Sequence, residues 1–95
     1  MKRKLVYLAQ AEADLVGIMD YYALEAEDIR DMFLADMEAA STQIVAFPQA
    51  WPEHDGYRRK LLTKFPYAVY FEETAPDAIT ILRIFHTSRR PGSWR

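Results

Sequence analysis

A chain of 95 residues, 51% of them apolar, has the scale of one small domain spanning 1–95, able to close a modest core but with no room for a second. Cysteine is absent, which excludes a disulfide framework and a thiolate metal site; His54 and His86 alone are too few for a histidine-rich metal centre, so no metal or cofactor is expected and a reducing cytoplasm suits the composition. The net charge of −2 conceals an asymmetry: residues 1–56 hold four basic against eleven acidic side chains, a net of −7, and residues 57–95 hold eight against three, a net of +5.

The opening MKRKLVYLAQAEADL has basic residues, but its apolar run stops at Ala9 and meets Glu12 and Asp14, so it reads neither as a signal peptide nor as a membrane span. Arg3 to Leu8 is expected to be a short strand inside or beside a sheet; its successive apolar residues predict burial on both faces. From about Ala9 the period changes, and Ala11, Leu15, Ile18, Met19, Tyr22 and Ala26 fall on one stripe of an amphipathic helix, with Glu12, Asp14, Asp20 and Glu25 largely off it. A second helix begins near Glu27 or Asp28, acids that suit a positive helix N-terminus. Its stripe is Ile29, Phe33, Met37, Ala40, Ile44 and Phe47, and Pro48 stops it. So tight a join predicts an antiparallel αα-hairpin with Leu15, Ile18, Tyr22, Phe33, Met37 and Ile44 in the core.

Pro48 to Gly56 has two prolines, an Asp-Gly pair and no periodicity; it reads as a loop, with Trp51 as the anchor that packs it onto the core. Three strand-like runs follow, Tyr57 to Lys64, Tyr67 to Glu73 and Ala78 to His86, parted by Lys64-Phe65-Pro66 and Thr74-Ala75-Pro76-Asp77, and predict an antiparallel meander. Period-two alternation sets Tyr67, Val69 and Phe71 against Ala68 and Tyr70, and Ile79, Ile81 and Phe85 against Leu82 and Ile84. Both faces are partly apolar. The second therefore calls for a cover, either a loop or tail of this chain or a protein partner.

Familiar catalytic signatures are missing: GxGxxG, Walker-type loops, HExxH, GxSxG and a cysteine nucleophile do not occur. What remains is a basic and aromatic set comprising Arg58, Arg59, Lys60, Arg83, His86, Arg89, Arg90 and Trp94. From Arg83 onward there is no acid, giving a positive field suited to nucleic acid or to an acidic protein surface. Arginine and lysine can stabilise a pentavalent phosphoryl transition state and histidine can move a proton near neutral pH, so metal-independent RNA cleavage is one reading of the set. A strand-end histidine bonded to a neighbour, beside arginines that deter edge pairing, is the other.

The order β-α-α-β-β-β, the segments LAQAEADLVGIMDYY, RRKLLTKFPYAVYF and ILRIFHTSRRPGSW, and above all the join of FPYAVYF with H-x-x-R-R-P-x-x-W, resemble the ParE/RelE superfamily of type II toxin-antitoxin toxins over nearly the whole chain. The resemblance implies an α+β fold in which an αα-hairpin packs on a small, mainly antiparallel sheet. It also implies a cognate antitoxin bound in a hetero-oligomer. RelE-like members are ribosome-dependent mRNA endoribonucleases using basic strand residues and often a C-terminal Tyr or His; Arg58, Lys60, Arg83 and His86 would fill those roles here. ParE-like members poison DNA gyrase. The lack of any Tyr after Tyr70 and the long hairpin resemble that branch, and the expectation is a gyrase inhibitor that acts by binding. Arg89, Arg90 and Trp94 would then meet the target. Arg58, Arg83 and Arg89 would meet antitoxin acids along the sheet face away from the hairpin and the groove beside it. An interaction module without toxicity is the remaining class.

Overall fold

The change of apolar period at Ala9 is where the first helix starts. In the computed structural model, which describes residues 3–88, β1 (Lys4–Tyr7) leads directly into α1 (Ala9–Glu25), and α2 (Glu27–Ala46) follows after the single residue Ala26. Ala26 is extended, at φ −171° and ψ 143°; its N–H closes on the Tyr22 carbonyl while its own carbonyl accepts from Ile29 and Arg30, so one residue ends one helix and starts the next. Glu27 and Asp28 occupy the first turn of α2, where the helix dipole favours acids. A one-turn 3-10 helix (Pro48–Ala50) leads to β2 (Glu53–His54), β3 (Tyr57–Leu61), β4 (Tyr67–Ala75) and β5 (Ala78–His86). The Asp-Gly pair makes the β2–β3 turn, with Asp55 at φ 53° and Gly56 at φ 84°, the left-handed pair that a tight hairpin needs.

The five strands form one mixed sheet in the order β1-β5-β4-β3-β2. Strands β2 to β5 are antiparallel neighbours, and β1 pairs parallel to β5 through Lys4–Ala78 to Tyr7–Ile81. Three details depart from the sequence reading. First, β1 is an edge strand rather than a doubly buried one: Leu5 and Tyr7 pack against the core while Val6 stays 46% exposed, because nothing described covers the outer side there. Second, the segment assigned wholly to a loop contains the short strand β2. Third, the ladder between β4 and β5 jumps from Tyr70–Arg83 to Phe71–Ile81, which leaves Leu82 as the extra residue of a β-bulge. The bulge inverts the alternation, so Ile84 joins Ile79 and Ile81 toward the helices and Phe85 turns to the other face.

The main core lies between hairpin and sheet. Phe33, Met37, Ala40 and Ile44 from α2 and Ala11 from α1 are buried against Tyr67, Val69, Phe71, Ile79, Ile81 and Ile84. Leu15, Ile18 and Tyr22 pack on this core but stay partly exposed, which places α1 nearer the rim than α2. Phe47 leaves the helical path at φ −139° and ψ 64° and is 69% exposed, so the predicted stripe ends at Ile44. A smaller cluster of Tyr57, Ala68, Tyr70 and Phe85 is buried on the opposite face of the sheet.

Candidate functional site

Strand register separates the basic residues. Arg58 lies opposite Phe71 and Lys60 opposite Val69, so both point to the helix side of β3, where they serve Trp51: Arg58 donates to its carbonyl and Lys60 Nζ stands 4.9 Å from its ring. Trp51 in turn meets Phe71 edge-on at 6.2 Å, which pins the loop between α2 and β3. Arg59, opposite Tyr70, faces the other way and rims a cleft of about 310 Å³ with Pro52, His54, Tyr57 and Tyr70.

On β5 the chemistry concentrates at the edge. Asp14 of α1 accepts from Arg83 Nε at 2.8 Å and Arg83 Nη2 at 3.1 Å, and its Oδ2 also takes the Ile84 backbone N–H at 2.9 Å. This is a bidentate pair with side chains only 19% and 14% exposed. The hydrogen bond to Asp14 raises the Arg83 pKa, outweighing the opposite effect of burial, and holds the guanidinium 4.4 Å from the Phe85 ring centre. His86 sits beyond it, exposed, with Nδ1 2.9 Å from Ser88 Oγ and its ring 5.4 Å from Tyr67. Between this edge and α1 runs an open cleft of about 360 Å³ whose lining includes Ala13, Asp14, Gly17, Tyr21, Ile84 and His86.

The four residues of the nuclease-like set therefore do not converge: Arg58 and Lys60 cover Trp51 on one face, Arg83 is engaged by Asp14, and His86 stands at the end of β5. Arg89, Arg90 and Trp94 lie outside the described residues. No group of three or more metal-binding side chains occurs among the described residues. Sequence reading gave no role to Asp14, placed only as largely off the first helix's apolar stripe, or to Asp36. Asp36 is buried on α2 and accepts the backbone N–H groups of Lys64 and Phe65 at 2.9 and 3.1 Å, tying down the β3–β4 turn. Their spacing held the signal: Asp14 lies three and four residues from Ala11 and Ile18, and Asp36 from Phe33 and Ala40, so each borders a buried stripe.

A two-helix hairpin laid on a five-stranded mixed sheet, β-α-α-β-β-β-β along the chain, defines an α+β domain. A solved structure described as the chromosomal ParDE TA system from P. aeruginosa has the same fold, with a TM-score of 0.76 at 22% identity over 90% of this chain and 96% of that one. The family model described as ParE toxin of type II toxin-antitoxin system, parDE, matches residues 5–91, and the chain belongs to that family. Among curated proteins, none matches the sequence.

Proposed function

We propose that this ParE-family toxin inhibits DNA gyrase by binding it, without catalysis of its own, and is neutralised in the cytoplasm by a cognate antitoxin that joins it in a hetero-oligomer. The observation that carries the non-catalytic reading is the scattering of Arg58, Lys60, Arg83 and His86 over two faces and the end of the sheet. General acid–base catalysis needs its groups within hydrogen-bond reach of one reacting centre. Here three of the four are committed to Trp51 or Asp14. Family membership supports gyrase as the target, and the basic C-terminal residues Arg89, Arg90 and Trp94 are its proposed contacts.

Induction of the toxin without its partner, followed by parallel assays of gyrase supercoiling and of mRNA integrity on translating ribosomes, tests this. Loss of supercoiling with intact mRNA is expected. Cleaved mRNA with normal supercoiling, abolished by His86→Ala in a protein that still folds, would overturn the reading in favour of a ribosome-dependent endoribonuclease.

A further inference from the structure

We infer that the edge of β5 from Leu82 to His86 is an addition site for an extended, acidic and apolar segment of a protein partner, kept closed in the free chain by the Asp14–Arg83 pair. The inference rests on the antitoxin reading above and specifies how the partner engages.

Beside β5, β1 pairs only as far as Tyr7–Ile81, after which Leu8 N–H bonds to the Ile81 carbonyl and the chain turns away into α1. Among the described residues no strand continues that row. The Ile84 N–H faces the vacated row, and strand geometry points the Ile84 carbonyl and the His86 N–H the same way. An open edge of this kind recruits extended chain unless it is blunted. Here an acid of the adjoining helix does so, because the Asp14 carboxylate occupies a position where an incoming strand would offer a backbone carbonyl to Ile84.

The surroundings specify the occupant. On the helix side, Ala13 and Gly17 leave the α1 wall low, and a Cβ on Gly17 would meet nothing within 4 Å, so the cleft of about 360 Å³ has room for the inward side chains of an added strand. Those inward residues would be apolar against Ile84 and Ile18. On the outer side the Arg83 guanidinium lies against Phe85 and, once Asp14 is displaced, is left without its carboxylate. A desolvated arginine losing one acid requires another, so an outward residue of the segment would be Asp or Glu. Strand addition with alternate apolar and acidic side chains is thus the mode that the edge fits.

The test uses the full chain with its cognate antitoxin, measuring affinity by calorimetry and backbone amide exchange in the free and bound states. Binding is expected to slow exchange of the His86 amide. Asp14→Asn, which removes the competing charge but keeps an acceptor for Ile84, is expected to tighten binding several-fold. Arg83→Gln, which keeps much of the stem over Phe85, is expected to weaken it by about tenfold or more, as for loss of a charge-assisted bond. Asp20→Asn, an exposed acid on the same helix, controls for net charge, and thermal melts confirm that each variant folds. A complex that forms while His86 exchange is unchanged, or in which Asp14→Asn leaves binding unchanged or weaker, overturns this inference and leaves the antitoxin reading intact. Failure of any complex to form removes both.

Discussion

Tyr67 shows how a side chain on the core face of β4 acquires a chemical signature. Its ring meets those of Tyr22, Phe33 and His86 at 6.3, 5.6 and 5.4 Å, and burial first, then the hydrogen bond to Tyr22, drives its pKa far above the ordinary tyrosine value. A raised folded-state pKa means that the stability held in the neutral phenol is fully present below the unfolded pKa of about 10 and is lost as pH rises beyond it, because the unfolded chain ionises first. Thermal melts from pH 8 to 11 should therefore show a falling Tm above about pH 10 that is shallower in Tyr67→Phe; parallel slopes would acquit Tyr67. Asp36 makes a second residue-scale prediction. Asp36→Ala strands the Lys64 and Phe65 N–H groups and should cost about 2–3 kcal/mol in urea unfolding, whereas Asp36→Asn, which keeps an oxygen acceptor, should cost less.

At the scale of elements, the bulge at Leu82 decides which face of β5 is which. Without it Phe85 would enter the hairpin core, where Ile84 now packs, and the cluster with Tyr57, Ala68 and Tyr70 would lose its aromatic partner. Inserting one alanine between Leu82 and Arg83 reverses the faces of Ile84 and Phe85 and should cost more than about 4 kcal/mol, since it overpacks one face and empties the other. Leu82→Ala preserves the residue count and should cost only about 1 kcal/mol for a half-buried side chain. Equal losses from the two changes, read by denaturant midpoints, would show that register is unimportant there.

For the whole molecule, charge and topology divide the work. Hairpin and loop carry most of the acid, while strands β3 to β5 and the residues after them carry most of the base. Replacing Arg90 and Trp94 together by Ala is expected to relieve growth inhibition on induction while the Tm and antitoxin affinity persist. Retained toxicity in that variant would move the proposed gyrase contacts elsewhere on the domain. Higher salt should slow antitoxin association more than it speeds dissociation, because screening acts on steering between exposed charges and not on the buried apolar contact.

The helices were legible before any coordinates because their stripes are local: the apolar spacing from Ala11 to Tyr22 and from Ile29 to Ile44 fixes a face wherever the helix later docks, and a single residue between them forces the hairpin. The three strands of the meander were legible for the same reason, although β2 was read as loop, and the family followed from segments read in order. Sheet order, the edge position of β1 and the inversion at Leu82 were not, since each depends on partners remote in the chain, and a bulge leaves no mark on the periodicity of one strand. The site divided likewise. Sequence assembled Arg58, Lys60, Arg83 and His86 by chemical type, but pairing turned the first two toward Trp51, and an acid 69 residues away in sequence claimed the third. Residue type limits what a side chain can do, whereas register and burial select its partner, and that selection is a tertiary event.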